Sequence, residues 1–573
     1  TVFIKGVQQT MELMPSRGFQ SSVEPVLNFG LGNSIWLDSL VVHWPDMKKQ
    51  VLHHLKADTL IELKQAEAVV QKAAVEKPIQ PLFTNVTASI ISGNIKHKEN
   101  NFVDFNQERL IPKMLSTEGP KLAVADVNSD GLEDFFMGGA AGDTAKLFIQ
   151  QANGHFTQSP QYAFAQDKDN EDVGAEFFDA DGDGDMDLVV ASGGNELHDA
   201  SLYLFTRLYI NDGKGHFARS FRGWPPVNIN ASCVRTGDFD GDGKPDVFIG
   251  ARSVTGIYGK SPASMLLKNT GKGNFVDVTQ KVCPALLKAG MVTDALWTDI
   301  DNDGKSELVI TGDWMPLTLF KYEQGQLKKV QEIANSSGWW NCLALADING
   351  DGKPALIAGN NGLNSKIKAD KQHPATLFVS DFDNNGSVEC IPVYYKTDGK
   401  AYPFNLYGDV IGQMPGLKKT FLQYSQYAGA SIEKMFTPSQ LEKSEKHTVE
   451  QSQSCIFYND GKGNFTMQPL PQHAQFAPMF AALCTDLNGD GKKDIFMAGN
   501  FYGLKPEVGR YDASYGVALM ANAKGTFDYK RPLETGLFIK GEVRDIKTIT
   551  TPAGECIIVA RNNEPLEIYI KNR

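Results

Sequence analysis

Aspartates recur in this sequence at a spacing suited to gripping a hard cation. The nine-residue pattern D-x-[DN]-x-[DN]-G-x-x-[DE] begins at Asp126, Asp179, Asp238, Asp299, Asp347, Asp381 and Asp486. Ca2+ takes six to eight oxygen ligands. A tight loop with side-chain oxygens at its first, third, fifth and ninth positions, and a carbonyl at its seventh, can wrap one ion, and glycine at the sixth allows the sharp turn. The expected ligands are Asp126, Asn128, Asp130 and Asp134 in the first copy, then Asp179, Asp181, Asp183 and Asp187 in the second. Asp238, Asp240, Asp242 and Asp246 serve the third; Asp299, Asp301, Asp303 and Glu307 the fourth. Asp347, Asn349 and Asp351 form a weaker fifth, because Ala355 stands at its ninth position. Asp381, Asp383, Asn385 and Glu389, and Asp486, Asn488, Asp490 and Asp494, complete the set. An EF-hand would need a glutamate at position twelve; Met137, Val190, Ile249, Ile310, Ala358, Pro392 and Met497 stand there instead. A lone acidic loop reads as a solvated turn, but seven with matching flanks do not. The expected cofactor is several structural Ca2+ ions, whose charge would more than offset the net −12 of the chain.

The flanks must be the elements that hold these loops. Short apolar runs such as Leu122–Ala125 before a loop and Asp246–Ile249 after one are rich in Val, Ile and Phe and read as strands. A second hairpin follows, marked by Asn-Gly or Asp-Gly turns and closing at Phe156, Phe217, Phe275, Leu327, Phe465 and Phe527. Four strands per unit in series predict an all-β fold, a seven-bladed β-propeller, with eight blades as the rival count. The loop at Asp381 reads as an extra feature inside the fifth blade, whose closing hairpin comes at Ile456–Phe465. Three C-terminal strands around Asp545, Ile558 and Ile568 leave a worn seventh unit, which the N-terminal strand near Phe83 is expected to complete.

The chain has 573 residues and seven cysteines without a CxxC pair. Cys233 and Cys342 are expected as buried free thiols. No apolar run is long enough to span a membrane, and no basic stripe points to nucleic acid. The chain begins at Thr1 and reads as part of a longer precursor.

The repeated loops with glycine-ended strands resemble FG-GAP and VCBS repeats, the blades of integrin-α-like propellers. Phe29-Gly30-Leu31-Gly32, Leu37–Pro45 and Thr59–Leu63 resemble the ASPIC/UnbV domain. Proteins that pair these modules resemble the cartilage acidic protein family and its bacterial cell-surface relatives. The implied organisation is an ASPIC/UnbV-like β domain over 1–65, a linker over 66–78 and a propeller over 79–573, with a helical insertion at about 393–454 in blade five. The resemblance implies a secreted or outer-surface location, a glycan or protein ligand, and a binding or adhesion role without catalysis. A polysaccharide lyase or hydrolase, and a structural spacer, stay open as alternatives. The face opposite the cation loops is expected to gather Trp314, Asn360, Asn500, Tyr502 and Arg510, with Trp339 and Trp340 entering between blades, as a ligand platform.

Overall fold

The computed structural model describes residues 1–70, 79–197, 201–522 and 525–572. The chain divides into two compact units, Thr1–Ile79 and Gln80–Arg573. The first is one five-stranded sheet, in the order Val7–Gln9, Val2–Ile4, Trp36–His43, Lys48–Lys56 and Val69–Val70. Val2, Ile4, Leu37 and Leu40 form its core. The turn read at Pro45-Asp46 joins its two longest strands, with Met47 at φ 65°. Val69–Val70, read as linker, instead pairs with Lys48 and Lys49 as an edge strand; positions 71–78 of that linker lie outside the described residues.

The second unit is mostly β, built from repeated four- and five-stranded sheets. Seven of them begin in turn with Leu122–Ala125, Glu171–Phe178, Ala231–Gly237, Met291–Thr298, Cys342–Ala346, Met479–Thr485 and Glu542–Thr551. They are called sheets one to seven below. Within each, successive strands pair antiparallel, and the cation loops sit between the first and second strands of sheets one to six. Sheet five is interrupted: Ala355–Gly359 pairs directly with Cys455–Asn459, nearly a hundred residues on. Sheet seven takes Phe83–Asn85 as its fourth strand, beside Glu567–Lys571.

The second strands are continuous apolar runs because both of their faces are covered. Leu188 and Val190 of sheet two pack towards sheet one with Phe136 and Leu147. Val189, between them, packs towards sheet three with Val234 and Ile249. The same division of alternate residues recurs between sheets three and four, four and five, five and six, and six and seven. A further cluster joins Phe135 and Phe148 of sheet one to Ile558 and Ile568 of sheet seven. First strands touch their neighbours in the same succession, including Glu542–Thr551 against Leu122–Ala125. The Leu122 amide donates to Asp545 Oδ2 at 3.0 Å across that last contact.

The segment between the halves of sheet five is not solely helical. It carries its own four-stranded sheet, Ala401–Pro403, Glu389–Tyr395, Ala375–Ser380 and Glu445–Val449, and the Asp381 loop belongs to it. Helices follow at Tyr407–Gln413, Tyr424–Ala428, Ile432–Met435 and Pro438–Lys443. The last starts with the capping box visible at Thr437–Gln440: Gln440 N–H donates to Thr437 Oγ1, and Gln440 Oε1 accepts from the Thr437 amide. All seven cysteines are free thiols, and Cys233 and Cys342 are buried as expected.

Candidate functional site

Each loop is shaped by its own carboxylates. The first aspartate turns back onto the glycine at position six: Asp126, Asp238, Asp299 and Asp381 each accept that amide at 2.8–2.9 Å. Those glycines have φ near +80 to +90°, as Gly131 (85°) and Gly386 (89°) show, a conformation open to glycine at no steric cost. The ninth residue does different work. Asp134, Asp187, Asp246 and Asp494 are buried; one oxygen of each accepts the amide of loop position two, and the other that of a third-strand residue. A carboxylate oxygen has lone pairs beyond one such bond, so these residues tie the hairpins together and still face the loop.

The arrangement fits a hard cation. Asp179, Asp181 and Asp187 bring oxygens within 4.8 Å of one another, as do Asp238, Asp240 and Asp246; Asp299, Asp301 and Asp303; and Asp381, Asp383 and Glu389. Asp240 Oδ1, Asp301 Oδ1 and Glu307 Oε1 are buried without a hydrogen-bond donor, a costly state unless a positive charge satisfies them. Burial pushes the carboxyls of Asp134, Asp187 and Asp246 up to about 7, since nothing within the loops compensates their charge fully. In the Asp126 and Asp486 copies, Asn128 and Asn488 replace one acid, and the Asp347 copy has no ninth-position oxygen because Ala355 lies buried in the strand.

Two loops already hold a lysine of the third strand among their carboxylates, and at a third, Lys571 Nζ donates to the Asp486 carbonyl at 2.8 Å. Lys268 Nζ bonds Asp240 and lies 3.0 Å from Asp242 Oδ2. Lys321 Nζ bonds Asp301, lies 2.8 Å from Asp303 Oδ2 and is 3.5 Å from Glu307 Oε1. Both lysines come from the third strand, in the register position beside loop residue nine. The corresponding residues of sheets one, two, five and six are Ile149, Ile210, Tyr458 and Met520. Hydrogen bonding to Lys321 holds Asp303 below the usual carboxylate range. These lysines were not singled out in the sequence; their register against the loop was the available signal.

The expected ligand platform is covered. Segment 97–120, which has no strand period, crosses the far ends of the second strands. Its Glu108 accepts from Asn195 Nδ2 at 2.6 Å, its Glu118 from Arg252 Nε at 2.7 Å, and its Lys113 Nζ donates to Asp313 Oδ1 at 3.0 Å. Asn562 Nδ2 donates to Gly119 O, and the Met114 amide to Gly503 O. Sheets two, three, four, six and seven are thus tied to one strap. Asn360 and Asn500 are buried and not ligand-facing. Asn360 Nδ2 is spent on Gln451 O, and Asn500 Nδ2 on Ser514 O and Gly541 O. Trp340 is fully enclosed, its Nε1 donating to Ser336 O at 2.7 Å, and presents no face to a ligand. Trp314 and Trp339 pack edge to face at 5.2 Å within the core that joins the strap to the inserted sheet and helices. Arg510 lies over the Tyr502 ring, 4.8 Å from its centroid.

Beside the strap lies a small hollow of about 50 Å³ that opens to solvent. Tyr258, Trp314, Trp339, Phe480, Phe501 and Tyr511 form its aromatic walls, and Lys113 and Asn361 contribute polar groups. Trp314 Nε1 donates to Tyr258 Oη at 2.9 Å, which fixes two of the rings.

Family comparisons agree with these two units. Residues 1–70 match the ASPIC and UnbV family model. Residues 126–190, 179–249 and 299–358 match the FG-GAP-like repeat, each match starting at the first residue of a cation loop. The chain therefore combines an ASPIC/UnbV domain with FG-GAP-like repeats, a pairing consistent with a non-enzymatic role. No curated protein matches the sequence. Among solved structures, the V. cholerae biofilm matrix protein Bap1 is similar at 11% identity and a TM-score of 0.32, over 84% of this chain and 91% of that one. The Dos1 propeller is similar at 9% identity and a TM-score of 0.34, over 83% and 95%. An ancestral GH74 enzyme is similar at 10% identity and a TM-score of 0.39, over 80% and 49%. Likenesses this distant say nothing about activity.

Proposed function

We propose that this chain is a calcium-loaded, seven-bladed β-propeller that acts outside the cytoplasm as a non-catalytic binding or adhesion module. The observation that carries the reading is the repetition: an oxygen-rich loop at the same place in sheets one to six. The apolar cluster between sheets seven and one, and the borrowed strand Phe83–Asn85, support closure of the ring. The residues that would hold the ions are those of the seven loops, from Asp126–Asp134 to Asp486–Asp494. Bound Ca2+ supplies charge compensation there, not reaction chemistry. The chain's own residues do the rest: position nine links the two hairpins of a blade, and position one fixes the turn. Among the described residues, no helix is long and apolar enough to cross a membrane.

The ligand-binding surface in this reading is the aromatic hollow, whose ring faces and few polar groups suit a glycan or a protein segment. The test has two parts. Metal analysis of the purified chain should find several Ca2+ per molecule, and none would sink the cation reading. Binding on glycan and matrix-protein arrays should be lost in Phe480→Ala and Tyr511→Ala; retention at full strength would remove the hollow from the proposal.

A further inference from the structure

We propose that the cation loops of sheets one, two and three, at Asp126, Asp179 and Asp238, fill as one coupled group, whereas those of sheets four to six fill singly. The proposal rests on the calcium reading above and adds to it how one loop senses the next.

Position two of each loop is held from both sides. In loop one the Val127 amide donates to Asp134 Oδ2 at 3.1 Å, and the Val127 carbonyl accepts from Asn211 Nδ2 at 2.7 Å. Asn211 belongs to sheet two, and its own amide donates to Asp187 Oδ1 at 2.8 Å. The pattern repeats one sheet on. The Ala180 amide donates to Asp187 Oδ2 at 2.9 Å, the Ala180 carbonyl accepts from Asn269 Nδ2 at 2.9 Å, and the Asn269 amide donates to Asp246 Oδ1 at 2.8 Å. One series of hydrogen bonds thus joins the position-nine carboxylates Asp134, Asp187 and Asp246. Val127, Ala180, Asn211 and Asn269 are buried, where such bonds are strong and costly to lose. The turns beyond these strands lean on the same loops: a Cβ at Gly273 would stand 3.4 Å from Asp181 Cβ, and one at Gly215 3.7 Å from Asn128 Cβ.

The series has definite ends. Asn211 and Asn269 stand in the third strand, one residue past the register partner of position nine. Tyr322 has that place in sheet four and Ala521 in sheet six. Tyr322 meets the Phe239 ring edge-on at 5.3 Å, and Ala521 has no side-chain donor. In sheet five Asn459 Nδ2 does reach Ile300 O at 2.6 Å, but Ala355 leaves no carboxylate at position nine to receive its amide. At the other end Gln150 Nε2 donates to Thr550 O of sheet seven, which carries no cation loop.

An ion that fixes a position-nine carboxylate fixes the two amides bound to it. One lies in its own loop; the other belongs to the residue whose side chain holds the preceding loop. Filling loop two therefore lowers the cost of ordering loops one and three, and by linkage filling either of those favours loop two.

The experiment follows amide hydrogen exchange of the loop peptides of the full chain across a Ca2+ titration, which gives each loop a midpoint of protection. Asp181→Asn weakens loop two and alters none of the bonds in the series. It is expected to raise the midpoints of loops one and three about fivefold or more, and to leave those at Asp299 and Asp486 where they were. Adding Asn269→Leu should abolish the shift at loop three and keep that at loop one, a split that general destabilisation does not produce. Unchanged midpoints at loops one and three in Asp181→Asn would overturn the coupling and leave the calcium reading intact. Loops that gain no protection at any Ca2+ concentration would sink both. Should Asn269→Leu not fold, Asp181→Asn alone decides: a shift confined to loops one to three supports the coupling, and one spread over every loop removes it.

Discussion

The loops at Asp179 and Asp299 share one spacing, one turn and one pair of flanking strands, yet differ in what faces their carboxylates. Ile210 stands beside the first and Lys321 beside the second. In the Asp299 loop an ammonium group neutralises part of the ligand set without any ion, and Lys268 does the same in the Asp238 loop. Loops of one pattern therefore need not have one affinity. A lysine lowers the repulsion that makes an empty loop costly and also opposes the ion that would fill it. The FG-GAP-like motif reports where oxygens converge; the third strand decides how strongly they demand a cation.

Metal removal should have the largest effect. A chelator is expected to lower the melting temperature of the 80–573 unit, since each occupied site contributes about 2.7 kcal/mol at ~100 times its dissociation constant. Hydrogen exchange should then rise more at the Asp179 loop than at Asp299; equal rises would break the comparison. Next, Lys321→Met is expected to tighten Ca2+ binding at its loop by about tenfold or more, because a unit charge ~4 Å away opposes a doubly charged ion by roughly 2–8 kcal/mol between water and protein-surface dielectrics. The reciprocal Ile210→Lys should weaken the Asp179 loop, and calorimetric titration of both variants reads the pair. Asp187→Asn is expected to destabilise the protein by about 1–3 kcal/mol even without metal, since one of two buried amides loses its acceptor. Asp185→Asn, at the more exposed seventh position, should change stability little, and urea melts under chelation distinguish them.

The smallest effect is one of pH. Asp187 and Asp246 carry carboxyls raised by burial to about 7 in the metal-free fold. The unfolded value lies lower, near 4. Their contribution to metal-free stability is therefore fully present below that value and lost as pH rises through about 7. The stripped protein should melt progressively lower between about pH 4 and pH 7 and level off above that, while the Ca2+-loaded protein stays level. A gap between the two that does not widen with pH would remove position nine from this account.

The loops and their flanking strands were legible because each is local: glycine at a fixed place, acids at a fixed spacing, apolar runs between turns; the completing strand at Phe83 pairs with distant Glu567–Lys571 and was legible only from the count of strands left over in the last unit. The inserted sheet was only half legible. Its helices left a capping box at Thr437, but Ala375–Ser380 and Glu445–Val449 pair across some seventy residues, which no short-range pattern records. The strap was not legible at all. His97, Glu99, Glu108, Lys113 and Glu118 read as an ordinary polar stretch. Their burial depends on Asn562, Arg544, Asn195, Asp313 and Arg252, which are remote in the chain. For the same reason the amides and indoles expected to meet a ligand proved to be partners of the chain itself.

By itself the amino-acid sequence determined the repeat, the oxygen sets of the loops and the β character of the units, because those follow from backbone geometry within about ten residues. Only the tertiary structure decided which loops contain a lysine and which face is covered. Those outcomes depend on desolvation, and desolvation is set by whatever distant segments come to rest on a side chain.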